Sequence, residues 1–180
     1  HIRDAINAGA TLSTHLGNGC PQILPRHDNV IWEQLSADEL SASLIVDGHH
    51  LPPAVVKSLV RAKGLGRVLL VTDAVAAAAA HPGHYRLGTL DVELDAGGRV
   101  AEPGAAHLAG SALTMDVAVA NTARFCGLAL DAVLPLATTN PARALSIEPA
   151  GQVAAEWNAA MHRLSIVTVT EKGNGSGAGP

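Results

Sequence analysis

The chain has 180 residues, a formal net charge of −4 and a composition that is 48% hydrophobic but only 2% aromatic. This length predicts one domain with a core of Ala, Val and Leu, and the scattered Lys and Arg argue against nucleic acid as a partner. The longest apolar stretch, residues 68–80, is interrupted by Asp73 and too short to span a bilayer, and two distant cysteines without a secretory signal favour the cytoplasm.

The first part of the sequence alternates helical and strand patterns. Strands are predicted at 10–16, 41–46 and 67–72. Helices are predicted to end at Gly9, to start at Ser36 and to span 54–63. Apolar strands separated by helices are typical of a parallel sheet covered on both faces, so the predicted fold class is α/β.

The second part has a different pattern. Alternating apolar residues around the turn formers Asp95, Gly97 and Gly98 predict a hairpin. Further helices are predicted at 111–127, 131–136 and 141–145, the first with Ser111 as its N-cap. A last strand is expected at 164–169, followed by a disordered Gly/Ser tail at 173–180.

Polar side chains follow all three strands of the predicted sheet. His15 ends the first strand, the motif Asp47-Gly48-His49-His50 follows the second, and Asp73 ends the third. Taken singly, each has an ordinary structural explanation: a packed histidine, or an aspartate that caps the next segment. Ligands bind at the carboxyl ends of strands in α/β proteins, so the joint arrangement instead indicates a functional site.

These residue types predict metal-assisted hydrolysis. A neutral imidazole such as that of His15 is a ligand for Zn²⁺. Adjacent side chains of an extended backbone point to opposite sides, so only one of His49 and His50 is expected to face a ligand. Asp73 closes so apolar a run that we expect it to be partly buried, where its carboxylate can act as a general base toward metal-bound water.

Five ordered motifs resemble those of the N-acetylglucosamine-6-phosphate deacetylases of the amidohydrolase superfamily. The motifs are residues 14–19, 47–50, 71–74, 108–115 and 140–143, and the resemblance covers about residues 2–147. It implies the C-terminal half of a (β/α)₈ barrel, strands six to eight, with a remnant of a small β-sandwich. The expected domains are a partial barrel at 1–147 with a hairpin insertion near 85–104, a sandwich remnant at 148–172 and the tail at 173–180.

The same resemblance implies roles for individual residues. His15 matches the metal ligand, and Asp73 matches the catalytic aspartate that moves a proton from metal-bound water to the leaving amine. The residues that match substrate-binding positions are Asn18, Gly19, Arg26, His50, Leu108, Ala109 and Gly110, with Arg26 at the phosphate, His50 at the sugar and the last three at the acetyl group. The implied cofactor is a divalent metal, zinc or alternatively iron, and the implied substrate is N-acetylglucosamine 6-phosphate.

Two stretches depart from the family pattern. Residues 19–29 differ from the better-known deacetylases and indicate a divergent subgroup, and residues 154–162 lack the usual sandwich ending, so we expect a rearranged or poorly formed C-terminal domain. The family's other metal ligands belong upstream of this sequence.

Two other functions stay open. The chain is alternatively a catalytically silent fragment or association module, or an amidohydrolase with cyclic-amide or deaminase chemistry. Because an unpaired barrel strand is an association surface, we expect a homodimer or pairing with the missing N-terminal half.

Overall fold

A three-stranded parallel sheet forms the centre of the computed structural model, which describes residues 1–171. Its strands, in sheet order, are β1 (Leu12–Ser13), β2 (Ser41–Leu44) and β3 (Val68–Leu70). The apolar run that starts in β2 stays at most 1% exposed from Leu44 to Val46, which confirms a strand covered on both faces. Within residues 1–171, the two outer strands each pair with β2 alone, so both lateral edges of this sheet are open there.

Helices pack against this sheet. Those in contact with its strands are α3 (Pro53–Lys63), α4 (Met115–Cys126), α5 (Leu130–Ala137) and α6 (Thr139–Leu145). Helix α1 (Ile2–Asn7) contacts α2 (Val30–Ser36), which packs against α3, and a 3₁₀ turn spans Leu65–Arg67. Val56 of α3, Val119 of α4 and Leu136 of α5 meet Leu44 and Leu70 of the sheet in one buried cluster. The predicted α/β class is therefore confirmed.

Two predicted caps are wrong. Ser36 ends α2 instead of starting a helix, because the side chain of Asn29 accepts hydrogen bonds from the backbone N–H groups of Ile31 and Trp32 and so begins the helix earlier. Ser111 does not cap α4, which starts after Thr114; the Ser111 hydroxyl accepts from the N–H of Leu113 within the preceding loop.

A small antiparallel sheet contains the predicted hairpin. It consists of β4 (Gly83–Leu87), β5 (Leu90–Leu94) and β6 (Val100–Ala101). The turn between β5 and β6 is the predicted one, and Asp95 Oδ1 stabilises it by accepting from the N–H groups of Gly97 and Arg99. The strand β4, which forms a second hairpin with β5, was not separately predicted.

A two-stranded hairpin follows the helices. Its strands are β7 (Gln152–Asn158) and the predicted last strand, β8 (Arg163–Thr170). Trp157 and Leu164 pack against the main core, whereas other apolar side chains of the hairpin are exposed: Val153, Ile166, Val167 and Val169. The predicted tail at 173–180 lies outside the described residues, and within residues 1–171 no helix is long and apolar enough to cross a membrane.

Candidate active site

The carboxyl ends of the three parallel strands bring the predicted site together. β1 pairs with β2 from Leu12 to Ser13, and β2 pairs with β3 up to Leu44 and Leu70, all in parallel. His15 follows β1, the motif at 47–50 follows β2, and Asp73 follows β3. All three groups therefore leave the sheet at the same end, the carboxyl-terminal edge, as predicted.

His15 is held in an unusual backbone conformation. Its φ is +27°, a value that residues other than glycine rarely adopt. Its N–H donates to Oγ of the buried Ser43 at 2.8 Å, and the N–H of Leu16 donates to the Ser43 carbonyl at 2.9 Å, so β2 fixes the turn. The ring nitrogen Nδ1 is buried and has no hydrogen-bond partner within residues 1–171. A buried imidazole nitrogen without a partner is what a ligand-binding histidine presents when its ligand or orienting group is absent.

Asp73 also has a positive φ, of +50°. The expectation of partial burial is wrong: Asp73 is exposed, because the buried part of the run ends with β3 before the chain turns outward. Its carboxylate makes no hydrogen bond or ion pair to any residue in the described range 1–171. Strained backbone persists where the surrounding structure imposes it and is common at functional sites.

The loop at 108–113 is joined to the Asp73 segment by backbone hydrogen bonds. The N–H of Ser111 donates to the Asp73 carbonyl at 3.2 Å, and the N–H of Val75 donates to the Ser111 carbonyl at 2.9 Å. Gly110 has a φ of +94°, and a Cβ at this position would overlap Cγ1 of Val75. Only glycine fits there without displacement, so the predicted acetyl-binding residues lie next to Asp73.

The residues after His15 remain close to it. The N–H of Asn18 donates to the His15 carbonyl at 3.0 Å, and a Cβ on Gly19 would lie 3.5 Å from His15 Cε1. The side-chain Nδ2 of Asn18 is a second buried polar atom without a partner within residues 1–171. Arg26 lies on the exposed part of this loop, and its guanidinium contacts no other predicted site residue through a hydrogen bond or ion pair in that range.

The motif after β2 is an internally paired unit. Asp47 Oδ2 lies 2.6 Å from His50 Nδ1, and Asp47 Oδ1 accepts from the N–H groups of His49 and His50 at 2.8 and 2.9 Å. The side chains of Asp47 and His50 are 7% and 11% exposed. Burial raises the pKa of Asp47, but the hydrogen bonds from the His50 ring and from the two backbone amides outweigh it, so the pKa lies below its ordinary value.

Residues 1–171 do not contain a complete set of metal ligands. They contain no group of three or more His, Cys, Asp or Glu side chains that could hold an ion. His15 fits a metal as one ligand because of its unpartnered ring nitrogen, but a catalytic zinc needs about three protein ligands. A zinc ion at His15 would therefore need further ligands from outside the described residues.

Sequence reasoning missed three structural roles at this edge. Ser43 anchors the His15 backbone, Asp47 orients His50, and His49 Nε2 lies 3.0 Å from the Gly97 carbonyl, which links the motif to the β5–β6 turn. A serine inside an apolar strand was a usable signal for the first role. The pairing of His49 with a turn almost fifty residues away left no local signal.

Known proteins of similar sequence and structure agree on one family. The crystal structure of N-acetyl-D-glucosamine-6-phosphate deacetylase from Mycobacterium smegmatis matches 94% of this chain with a TM-score of 0.81 at 32% identity. A mutant of that enzyme in complex with N-acetyl-D-glucosamine-6-phosphate matches with a TM-score of 0.80. The N-acetylglucosamine-6-phosphate deacetylase of Lysinibacillus sphaericus is 32% identical over 158 residues, 88% of this chain. Over most of its length, the chain is therefore similar to N-acetylglucosamine-6-phosphate deacetylases.

The match covers only part of each deacetylase. The chain spans 40% of the Lysinibacillus sphaericus sequence and 46% of the Mycobacterium smegmatis structure. An N-acetylgalactosamine-6-phosphate deacetylase from Escherichia coli O157:H7 is also related, at 33% identity over 81% of this chain and 38% of its own length. No protein-family model matches the sequence. The resemblance seen in the five motifs is confirmed, and the chain corresponds to less than half the length of these relatives.

Proposed function

We propose that this chain supplies part of the active site of a metal-dependent deacetylase that hydrolyses the N-acetyl amide of an amino-sugar 6-phosphate. The observation that carries the proposal is the pair His15 and Asp73. They leave one sheet edge, both have positive φ, and both have side-chain groups without a partner in the described chain. A family that deacetylates amino-sugar phosphates provides a use for both groups.

Each residue then has a chemical task. His15 is the residue of this chain that would hold the metal. A divalent metal, zinc or alternatively iron, polarises the amide carbonyl and lowers the pKa of water when it is bound. Asp73, with an exposed and unpaired carboxylate, takes a proton from the attacking water and delivers it to the leaving nitrogen, which departs as the amine of the sugar while acetate is released.

The remaining predicted residues bind the substrate. Arg26 has an exposed guanidinium, whose planar fork matches the oxygens of a phosphate. Asn18 and Gly19 lie beside His15, His50 lies at the end of β2 and contacts the sugar, and the loop at 108–110 covers the acetyl group. The relatives act on epimeric sugars by name, and we propose N-acetylglucosamine 6-phosphate as the substrate.

The open edges of the sheet support the barrel assignment. Within residues 1–171, β1 and β3 each have one edge without a paired strand, and Leu12 on β1 is 42% exposed. We propose that these strands are strands six to eight of a (β/α)₈ barrel at 1–147, and that the hairpin at 148–172 is the sandwich remnant. The other barrel strands come from an N-terminal half or from a partner chain. The assembled enzyme is the complex that results, either a homodimer or this chain paired with that half. The free state of Cys20 and Cys126 supports a cytoplasmic location.

Release of acetate tests the function. The assembled enzyme is mixed with N-acetylglucosamine 6-phosphate, N-acetylgalactosamine 6-phosphate or unphosphorylated N-acetylglucosamine, each with and without a chelator. We expect turnover of the first substrate to be fastest, to stop with the chelator and to return with a divalent metal. No acetate from any of the three substrates would overturn the proposal and favour an association module, which the open sheet edges would also suit.

A further inference from the structure

The motif after β2 contains an aspartate and a histidine that are almost sealed from solvent. Asp47 Oδ2 and His50 Nδ1 are 2.6 Å apart, and both side chains are about one-tenth exposed or less, at 7% and 11%. This is the shortest side-chain contact at the sheet edge, and the chemistry of His15 and Asp73 does not use it.

The hydrogen-bond partners of Asp47 make its carboxylate the acceptor in the contact with His50. Its Oδ1 already accepts two backbone N–H groups, those of His49 and His50, and these contacts together with the His50 ring lower the pKa of the carboxyl despite its burial. At neutral pH the group is a carboxylate, which has no proton to donate. The proton shared with His50 therefore belongs to Nδ1 of the ring.

The protonation state of the other nitrogen of His50 follows when the ring is neutral. A neutral imidazole carries one proton, so a ring protonated on Nδ1 presents a lone pair at Nε2. Within residues 1–171, Nε2 makes no hydrogen bond and is not among the fully buried polar atoms without partners, so it is open to a ligand. His49 differs, because its Nε2 faces the carbonyl of Gly97, an acceptor, and must carry the proton.

We propose that Asp47 is a positioning residue that holds His50 in the Nδ1-protonated tautomer, so that the neutral ring accepts a hydrogen bond at Nε2 from a hydroxyl group of the amino sugar. The identity of this ligand rests on the proposed function, whereas the tautomer does not. An acceptor at this place favours a sugar with a hydroxyl correctly placed to donate, and disfavours an analogue that lacks it.

Nitrogen NMR of the histidine rings reads the tautomer directly. The full chain labelled with ¹⁵N is recorded at a pH where the rings are neutral, and the His50 signals are assigned from their loss in His50→Gln. In Asp47→Asn, the amide oxygen still accepts the two backbone N–H groups, but the amide NH₂ now faces Nδ1. We therefore expect the His50 proton to move from Nδ1 to Nε2 in this variant.

Asp95→Asn is the matched control. Asp95 also accepts two backbone N–H groups in a turn, and its pKa is lowered by the amide of Arg99 first and then by that of Gly97, but it contacts no imidazole through a hydrogen bond in the described chain. We expect the His50 tautomer to stay unchanged in this variant.

The NMR spectra distinguish the two tautomers of His50. A protonated Nδ1 and an unprotonated Nε2 in the wild-type protein support the proposal. Should the Asp47→Asn variant fail to fold, the wild-type spectrum is sufficient to decide between the two tautomers. Protonation on Nε2 in the wild type, or an unchanged tautomer in a folded Asp47→Asn variant, overturns it.

A kinetic experiment adds the consequence for substrate. In the assembled enzyme, we expect Asp47→Asn to lower kcat/KM by about 10- to 100-fold, the usual effect of removing a group that orients a functional histidine, and Asp95→Asn to leave it unchanged. If the wild type releases no acetate, the proposed function fails while the NMR result still stands. A normal kcat/KM in a variant whose tautomer has changed would overturn the contact with the sugar.

Discussion

The middle strand and the two outer strands of the parallel sheet end in different ways. After β2, every polar atom of the Asp47 carboxylate has a partner from the next three residues. After β1 and β3, His15 Nδ1 is buried without a partner, and the Asp73 carboxylate has none within residues 1–171. The chain thus pairs the carboxylate at the end of its central strand by itself, whereas His15 Nδ1 and the Asp73 carboxylate at the ends of the outer strands have no partner within residues 1–171.

The backbone conformation also differs between the end of β2 and the ends of β1 and β3. His15 and Asp73 both have positive φ, whereas the turn after β2 places its positive φ on Gly48, where it carries no steric penalty. A non-glycine residue in a sparsely populated region costs about 1–3 kcal/mol. The two outer ends therefore hold His15 and Asp73 in sparsely populated backbone conformations, which are common at functional sites, and we assign the chemistry to these two residues.

The largest expected effect is that of Asp73→Asn. An amide cannot take a proton from water, so kcat of the assembled enzyme should fall by about 10²- to 10⁴-fold, the usual contribution of a general base. Asp73 is exposed and its side chain has no partner in the described chain, so the free energy of unfolding should change by less than about 0.5 kcal/mol. Acetate release and denaturant unfolding measure the two quantities.

The control for this variant is Asp91→Asn, which changes an exposed aspartate of β5 away from the sheet edge. It should alter neither quantity. Normal turnover in Asp73→Asn would remove the catalytic role from the end of β3.

A smaller effect is expected at the loop that follows β1. Arg26→Ala should raise KM for N-acetylglucosamine 6-phosphate by about 10- to 100-fold, because a hydrogen bond to a charged group contributes roughly 1.5–3 kcal/mol. KM for the unphosphorylated sugar should stay the same. Arg61→Ala, at an exposed position of α3, is the control, and equal changes for both sugars would show that Arg26 does not bind phosphate.

Ser43→Ala tests how β2 supports the end of β1. The variant leaves the His15 N–H without its acceptor, which should lower the free energy of unfolding by about 1–3 kcal/mol. Ser13→Ala is the matched control, since Ser13 is also buried, at 5% exposure against 2% for Ser43, but its Oγ has no partner within residues 1–171. Chemical denaturation compares them, and equal losses would contradict an anchoring role for Ser43.

The smallest expected effect is on the pH dependence of the free energy of unfolding, through Asp47 after β2. The pKa of Asp47 is lower in the folded chain than its unfolded value of about 3.8, so the unfolded state binds more protons between the two values. The stabilisation is present above pH of about 4 and is lost as pH falls through the folded pKa. Unfolding measured from pH 7 downward should show a shallower decline for Asp47→Asn than for the wild type, and identical declines would contradict the pairing.

Much of the scaffold could be predicted from the sequence because it depends on local patterns. The apolar run of β2, the prolines that start α3 and Gly127, which ends α4 in the left-handed conformation, each report their own structure. The common edge of the strand ends follows from the parallel order, so His15 and Asp73 could be placed on one side of the sheet.

The remaining features depend on contacts between distant residues. Exposure of Asp73 depends on where β3 leaves the core, and the position of Ser111 depends on backbone pairing with the Asp73 segment. The strand β7 forms against β8 although six of its seven residues are exposed, so burial left little trace in its composition. A pattern along one segment cannot report a partner that lies elsewhere in the chain.

Metal content is the most direct test of the claim that the end of β1, and not the end of β2, holds the metal. The assembled enzyme and its His15→Ala and His50→Ala variants are purified in the same buffer with a divalent metal, and the bound metal is determined by elemental analysis. We predict that His15→Ala loses the metal while His50→Ala keeps it, because within residues 1–171 His15 has the buried ring nitrogen without a partner, whereas Nε2 of His50 is assigned to the sugar. Full metal content in His15→Ala, or its loss in His50→Ala alone, would contradict it.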